Sequence, residues 1–233
     1  MSLSLSPLVV MNLANGLLDV RVLCSMAYCF SDQAPNDPRE VRSAQACAPL
    51  PQLRASLDRQ LELGVQRSKL APLLPWIGED FQCDVTGKAP GGRTNRRNCT
   101  TTPASQQHGI AQPGYGHAMR IAAGPGAALS FDAEQSSGVV DVLSRNSSGD
   151  IVSHRQIWID TPQSIEEKVR WSRAAGLAGV GFWTADAVAS VDDYYWGPGC
   201  SGEASQKAGC PQNHTQTVAN ARAMWAAVRR ALM

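Results

Sequence analysis

The sequence predicts an α/β fold built around a parallel sheet. An amphipathic helix is indicated at 50–64, and apolar runs that suit buried strands occur at 69–76 and 177–183. A second helix, at 164–175, directly precedes the last of these runs. Alternating strands and helices are typical of a parallel sheet covered by helices, and a (β/α)8 barrel is the leading version. Three main strands are too few to close such a barrel.

The first two elements have clear local signals. The stretch "DVRVLCSMAY" at 19–28 is apolar and predicts a strand. The helix that follows carries Leu53, Leu57 and Leu61 on one face, and Gly64 is its expected end.

The middle of the chain is harder to interpret. "KLAPLLPW" at 69–76 predicts a second strand, although its prolines argue against central positions in a hydrogen-bonded ladder. The stretch 78–150 is rich in Gly, Ser, Thr, Pro and Asn, and its periodicity is weak. We therefore expect a long, irregular insertion with a few strands inside a single domain that covers 1–233.

The last third returns to strong patterns. "IVSHRQIWID" at 151–160 predicts a strand, and Ser164 with Glu167 forms a capping box for a helix that ends at Gly176. The strand at 177–183 is apolar on both faces, as in a parallel strand beneath helices. A final helix closes the chain. Its residues expected to face inward are Val218, Met224, Trp225, Val228 and Leu232.

Trp183 ends the last strand, at the edge of the sheet where ligands bind in such folds. Two interpretations remain open from position alone. The residue is either a core tryptophan or an aromatic floor beneath a flat ligand such as a sugar ring.

The bulk composition excludes several classes of partner. The formal net charge is +1, which gives no electrostatic reason to expect binding to nucleic acid or to an anionic membrane. No run reaches the roughly 18 apolar residues of a membrane helix. The basic cluster "GRTNRRN" at 92–98 is interpreted as a solvated loop, and the amino terminus shows no signal peptide.

The seven cysteines suit disulfides in an oxidising compartment. They contain no CxxC pair and no zinc-finger spacing, so we expect neither a metal nor another cofactor. Cys24 lies inside an apolar strand and is the odd one out, and the sequence leaves the connectivity of the others open. Pairing between sequence neighbours would give Cys29–Cys47, Cys83–Cys99 and Cys200–Cys210.

Three asparagines lie in glycosylation sequons: Asn98, Asn146 and Asn213. Cys99 stands inside the first sequon and argues against its use. Cysteines and sequons together favour a lumenal or secreted protein, which conflicts with the missing signal peptide. An amino terminus that lies outside this sequence would reconcile the two.

Three segments together resemble a known family. "SMAY" ends the first strand, "LLPWIGEDFQC" ends the second, and "RQIWIDTPQSIEEKVRWSRAAGLAGVGFW" covers the last helix–strand unit. In order and spacing they resemble the family 18 glycoside hydrolases, in particular the lysosomal di-N-acetylchitobiase branch. The resemblance runs from about residue 19 to the end of the chain and is most specific at 156–184. It implies a (β/α)8 barrel of which this chain holds strands six to eight.

The resemblance also implies sugar-binding residues. The tryptophan that ends strand eight floors a sugar subsite in the family, which assigns that role to Trp183. Met26 and Tyr28 match a Met-x-Tyr-Asp pattern whose tyrosine hydroxyl binds the substrate's acetamido oxygen. Cys29 stands where the pattern has aspartate, and Asp32 is a possible substitute.

Two further positions belong to the expected site. Trp76 matches the tryptophan of a Trp-Tyr pair on strand seven, but Ile77 replaces the tyrosine and its hydroxyl is lost. Asp160 ends the strand that leads into the most specific segment and is a possible contact.

The family's catalytic signature, Asp-x-x-Asp-x-Asp-x-Glu, is absent from this sequence. In the family the substrate's own acetamido oxygen attacks the anomeric carbon and one glutamate protonates the leaving oxygen. Glu134 in "LSFDAEQ" has Asp132 two residues before it, but Ser130 and Ala127 replace the other aspartates. We therefore interpret Glu134 as part of a surface acidic pair and identify no catalytic residue.

The resemblance implies a chitobiase-like glycosidase that acts on N-acetylglucosamine oligosaccharides, in a lysosomal or secreted setting. Without its acid, the chain alone is expected to be nearly inactive, because a missing general acid typically costs about 10²–10⁴-fold in rate. Two alternatives remain open: a non-catalytic protein that binds N-acetylglucosamine or chitin, and a truncated chain without a stable role. The sequence does not indicate an oligomeric state.

Overall fold

The computed structural model describes residues 23–25, 42–85, 99–101, 112–183, 187 and 214–233. Within these residues the protein has one parallel sheet, one antiparallel sheet and a two-stranded ribbon. The predicted α/β class is confirmed. The sheets of the described part do not close into a barrel.

The parallel sheet contains the three strands that the apolar runs predict. Its strands are β1 (Leu23–Ser25), β3 (Leu70–Pro75) and β9 (Gly181–Trp183), in the order β1-β3-β9. Both pairings are parallel, and every residue of β3 is buried. The last strand is shorter than predicted because the backbone turns after the preceding helix before the strand begins. The amide of Leu177 still bonds back to the preceding helix, at Ser172 O.

The helices α1 (Leu50–Glu62) and α3 (Pro162–Ala174) lie close to their predicted positions. The expected capping box at α3 is wrong in its partners. Thr161 caps the helix and accepts from the Ser164 amide, while the Ser164 hydroxyl accepts from the Thr161 amide at 2.6 Å. The helix starts earlier than expected because Pro162, which has no amide hydrogen, fits the first turn.

The described part of 78–150 is more regular than its weak periodicity predicts. It contains β4 (Glu79–Gln82), α2 (Tyr115–Ala122), β6 (Ala127–Asp132) and β7 (Ser137–Arg145). Together with β8 (Ile151–Ile159), its three strands form an antiparallel sheet in the order β4-β8-β7-β6. The ribbon joins β2 (Arg42–Ser43) to β5 (Thr100–Thr101). Small and polar residues on these strands hide the period-two alternation that would have identified them.

Helix α4 (His214–Leu232) packs beside α3 but turns a different face inward from the one expected. Met224 and Val228 are buried as predicted. Val218, Trp225 and Leu232 keep 45%, 41% and 56% of their surface exposed. The buried face instead includes Ala227 and Ala231, whose small side chains let α4 approach its neighbour closely. None of the described helices combines the length and apolar character that crossing a membrane requires.

Candidate functional site

Trp183 lies at the carboxyl edge of the parallel sheet. It is in register with Pro75 at the end of β3, and the Trp76 amide donates to the Trp183 carbonyl oxygen at 2.8 Å. Its side chain is half-buried and packs against the main hydrophobic core. Because neighbouring side chains of a strand point to opposite faces, Phe182 and Trp183 project away from each other. Trp183 is therefore fixed at its backbone and keeps part of its ring accessible.

Trp76 belongs to the core behind this edge. Its exposed fraction is 0%, and its ring centroid lies 4.4 Å from that of Phe182 and 5.0 Å from that of Trp225. The indole Nε1 has no hydrogen-bond partner among the described residues. The sequence placed Trp76 among the sugar contacts, but in this structure it offers no surface to a ligand. A role in supporting Phe182 replaces that expectation.

The antiparallel sheet begins beside the same edge. A Cβ atom on Gly78 would lie 2.4 Å from the Trp158 carbonyl oxygen, so only glycine permits this approach of β8. The Gly78 amide donates to Pro113 O at 2.8 Å, and Ile77 forms an isolated bridge with Gly114. These contacts fix the start of β4 directly after the end of β3.

Asp160 lies between β8 and α3 and is buried with its partner. The Lys168 ammonium, which is fully buried, lies 2.5 Å from Asp160 Oδ1, while Oδ2 has no hydrogen-bond partner in the part of the chain that the structure describes. Burial raises the pKa of Asp160, and the charge and hydrogen bond of Lys168 act in the opposite direction. The pair ties the antiparallel sheet to α3, which is a structural role rather than contact with a ligand.

Three other expected sugar contacts, Met26, Tyr28 and Asp32, lie outside the described residues. Glu134 is exposed in the turn that joins β6 to β7, at 133–136. There the Asp132 carboxylate accepts from the Gln135 amide at 2.8 Å. Glu134 therefore stands in solvent, as a surface acidic pair would.

Within the described residues, one of the three pairings between sequence neighbours is confirmed. Cys83 and Cys99 are bonded, with their Cα atoms 5.0 Å apart. Cys47 is also disulfide-bonded. Cys29, Cys200 and Cys210 lie outside that part as well.

Only one of the three sequons falls in the described residues. Asn146 is exposed in the turn between β7 and β8, and its Oδ1 accepts from the Asp150 amide at 2.8 Å. Asn98 and Asn213 lie outside the described residues.

A buried polar network lies in the antiparallel sheet, and the sequence analysis did not predict it. Asp141 Oδ1 accepts from Gln156 Nε2 at 2.9 Å and lies 2.8 Å from His154 Nε2. Trp158 Nε1 donates to Gln156 Oε1 at 2.9 Å. His154, Gln156 and Trp158 alternate along β8, which is the signal that places them on one face. All four side chains are buried, so the network stabilises the sheet and opens no binding site.

Comparisons with known proteins find relatives for part of the chain. No family model matches it. Over 150 residues, it is 26% identical to di-N-acetylchitobiase of Mus musculus and 25% identical to that of Rattus norvegicus. The alignment covers 64% of this chain and 39% of each relative. The chain therefore spans well under half the length of the curated relatives it matches, and over this part its resemblance to the family 18 glycoside hydrolases is confirmed.

Solved structures support the fold. A chitinase from Chromobacterium violaceum ATCC 12472 has a TM-score of 0.51 at 19% identity, covering 91% of this chain and 46% of that one. A chitinase-like agglutinin from Robinia pseudoacacia has a TM-score of 0.50 at 19% identity, covering 88% of this chain and 47% of that one.

Proposed function

From this relationship to the family 18 glycoside hydrolases, we propose that the chain forms the sugar-binding, carboxyl-terminal part of a chitobiase-like glycosidase. In this proposal, β1, β3 and β9 correspond to strands six, seven and eight of a (β/α)8 barrel. The substrates are oligosaccharides of N-acetylglucosamine, from chitin or from the core of N-glycans. Hydrolysis is substrate-assisted and retains the anomeric configuration.

The partly buried Trp183 at the end of β9 is the observation that carries the proposal. It ends β9 at the carboxyl edge, where ligands bind in parallel α/β folds. A flat indole face suits the apolar face of a pyranose ring. Tyr28, and with it Met26, is proposed to hold the acetamido group, with Asp32 as a possible further contact. Trp76 is left out of the contact set because it is fully buried.

This chain by itself is proposed to bind sugar rather than to cleave it. The Asp-x-x-Asp-x-Asp-x-Glu signature does not occur in the 233 residues. Glu134 is the nearest match, but it is exposed in the turn at 133–136, and Ser130 and Ala127 stand where the signature has its other two aspartates.

The proposed setting is a lysosomal or secreted one. The Cys83–Cys99 bond and the disulfide at Cys47 favour an oxidising compartment. Asn146 is proposed as a glycosylation site because it is exposed in a turn. Use of Asn98 and Asn213 is proposed from their sequons alone.

The decisive experiment measures sugar affinity and stability on the same variants. We expect Trp183→Ala to weaken binding of N-acetylglucosamine oligomers by about 1–3 kcal/mol, as for other rings stacked on aromatic side chains. Sugar binding should also change tryptophan fluorescence in the wild type but not in the variant. Calorimetric titration gives the affinity, and thermal unfolding gives the stability.

Trp171→Ala is the matched control, because Trp171 is a half-buried tryptophan on α3 that packs against the same core. It should lower stability and leave the affinity of the folded protein unchanged. A folded Trp183→Ala protein with wild-type affinity would rule out the proposed platform.

A second candidate is a sugar-binding protein without catalysis. The missing acid signature favours it, and one protein of similar fold is a chitinase-like agglutinin. The two candidates differ in one measurement. A glycosidase part should hydrolyse N-acetylglucosamine dimer once a polypeptide segment that carries the acid motif is added. A sugar-binding protein should bind the dimer and leave it intact.

A further inference from the structure

Strand β6 forms the open edge of the antiparallel sheet. In the order β4-β8-β7-β6 it has a neighbour on one side only, and Leu129 and Ser130 at its middle are exposed. Its pairing with β7 runs in one register from Ala127 to Asp132. The strand contains no proline and no basic residue, and its one charge stands at the end, at Asp132. It therefore lacks the usual features that keep the edge of a sheet from pairing with another strand.

The main chain of β6 presents hydrogen-bonding groups at this edge. In an antiparallel pair, alternate residues direct both their amide and their carbonyl group to the neighbouring strand. The Leu143 amide of β7 donates to Gly126 O, so the even-numbered positions of β6 face β7. Leu129 and Phe131 then direct their main chain to the open edge, and neither forms a main-chain hydrogen bond to any described segment other than β7. A further strand is the structure that pairs with such a row of donors and acceptors.

The apolar side chains at this edge are not taken up by the core. Ala127, at the start of β6, packs against the main hydrophobic core, whereas Leu129 and Phe131 are not among the residues that form or border it. Leu129 keeps 48% of its surface exposed. Phe131 lies opposite Gly138 of β7, which has no side chain to cover its ring. Leu129 and Phe131 are two positions apart, so both side chains lie on the same face of the sheet.

A second copy of β6 is a strand that fits this edge. In an antiparallel arrangement with a twofold axis at Ser130, Leu129 of each copy lies opposite Phe131 of the other. Such cross-strand pairs of an aromatic and an aliphatic side chain stabilise neighbouring strands. Asp132 then lies opposite the small side chain of Ala128, and no two like charges oppose each other within the strand.

The charges beside β6 favour the same arrangement. Asp132 and Glu134 lie at one end of the strand, and Arg145 ends β7 near the other end. An antiparallel pair brings the acidic end of each copy beside the basic end of the other. A parallel pair would instead place Asp132 beside its own copy, which is unfavourable between like charges.

The strands that complete the proposed barrel do not pair with β6. A (β/α)8 barrel continues from the outer strands of its parallel sheet, which here are β1 and β9. β6 belongs to the other sheet, where β8 and β7 separate it from β4, the strand that follows β3 directly.

We propose that β6 is a homodimerisation edge, at which two copies of this chain join their four-stranded antiparallel sheets into one continuous sheet. The contacts are the main chain of Leu129 and Phe131 and the two Leu129–Phe131 side-chain pairs. Because one strand of each copy contributes, the dimer is weak and reversible. This role does not depend on sugar binding at Trp183.

Analytical ultracentrifugation of the full chain over a wide range of concentration tests the proposal. We expect a reversible monomer–dimer equilibrium without larger species, because a twofold interface uses the edge of each copy once. Hydrogen exchange measured at low and high concentration locates the contact. The amides of Leu129 and Phe131 should gain protection in the dimer, and the amides of α1 should not.

Leu129→Lys is the decisive variant. It places a cation in both Leu129–Phe131 pairs of the dimer and should raise the dissociation constant about tenfold or more. Val152→Lys makes the same change at a similarly exposed valine of the inner strand β8 and should leave the dissociation constant unchanged. Circular dichroism checks that both variants are folded.

Leu129→Pro tests the main-chain contribution. Since the Leu129 amide points away from β7, proline removes a donor of the open edge and spares the hydrogen bonds between β6 and β7. A folded Leu129→Pro protein should form no dimer. A wild-type protein that stays monomeric at every concentration would overturn the proposal. Association that Leu129→Lys leaves unchanged would also overturn it, in favour of pairing through the open edges of the parallel sheet.

Discussion

The parallel sheet and the antiparallel sheet of this protein are stabilised in different ways. In the parallel sheet, all six residues of β3 are buried, and apolar side chains of α3 and α4 cover it. In the antiparallel sheet, polar groups share the interior with apolar ones. Asp141, His154 and Gln156 are buried between β7 and β8 and satisfy most of their hydrogen bonds within the sheet.

The difference predicts how each sheet responds to change. An apolar sheet loses stability in proportion to the surface and volume removed from its core. A sheet with buried polar groups fails when one partner is removed, because the other is left without water or a hydrogen bond. The Asp160–Lys168 pair joins the two regions, since Asp160 follows β8 and Lys168 lies in α3.

The largest effect is expected at this junction. Lys168→Met should cost about 3–5 kcal/mol of unfolding free energy, because it leaves the buried Asp160 carboxylate without its counter-charge. Arg170→Met on the same helix should cost less than about 1 kcal/mol, because its pair with Glu166 is largely exposed on the arginine side. Denaturant unfolding of both variants measures the difference.

The pH dependence of Lys168→Met sharpens the same prediction. Burial raises the pKa of Asp160, so the folded protein holds this proton more tightly than the unfolded chain. Protonation therefore favours the fold, and that contribution is lost as the pH rises through the folded-state pKa. Without Lys168 the pKa rises further, so the destabilisation should be largest at neutral pH and should shrink toward acid pH. A loss of stability that is the same at every pH would contradict the role of the Asp160 charge.

The same contrast explains what could be predicted from the sequence. Strand β3 and helix α1 have local signals, an apolar run and leucines at helical spacing, and both are found where expected. Trp183 could be located because the apolar strand ends there. The partial burial of its side chain could not be predicted, because it depends on which neighbouring elements cover each face of the strand.

The antiparallel sheet could not be predicted as a whole. Strand β6 reads Ala-Ala-Leu-Ser-Phe-Asp, which has no strict alternation, and it becomes a strand by pairing with β7. The burial of Trp76 was missed for a related reason. It depends on Phe182 and Trp225, which lie more than a hundred residues further along the chain.

A smaller loss is expected from removing the disulfide of the antiparallel region. Cys83→Ser with Cys99→Ser should cost about 3 kcal/mol, as expected for closing a loop of this length. We expect amides of β4 and β8 to lose more protection from hydrogen exchange than amides of α1. Ser147→Ala in the exposed turn between β7 and β8 keeps the Asn146 sequon, serves as the control and should change neither. Equal loss of protection in all three elements would mean that both sheets unfold as one unit, and the comparison would fail.

The smallest effect is expected at Glu134. The side chain is exposed in the turn between β6 and β7, so Glu134→Gln should change the unfolding free energy by no more than about 0.5 kcal/mol. It should also leave unchanged any residual hydrolysis of N-acetylglucosamine dimer, because two of the three aspartates of the acid signature are missing around Glu134. Asp132→Asn at the end of β6 should be slightly more costly, since the Asp132 carboxylate accepts a hydrogen bond from the Gln135 amide. The two variants are compared by thermal unfolding and by a chromogenic assay. A tenfold loss of hydrolysis in Glu134→Gln would instead assign the acid to the antiparallel sheet, and that sheet would then be catalytic as well as structural.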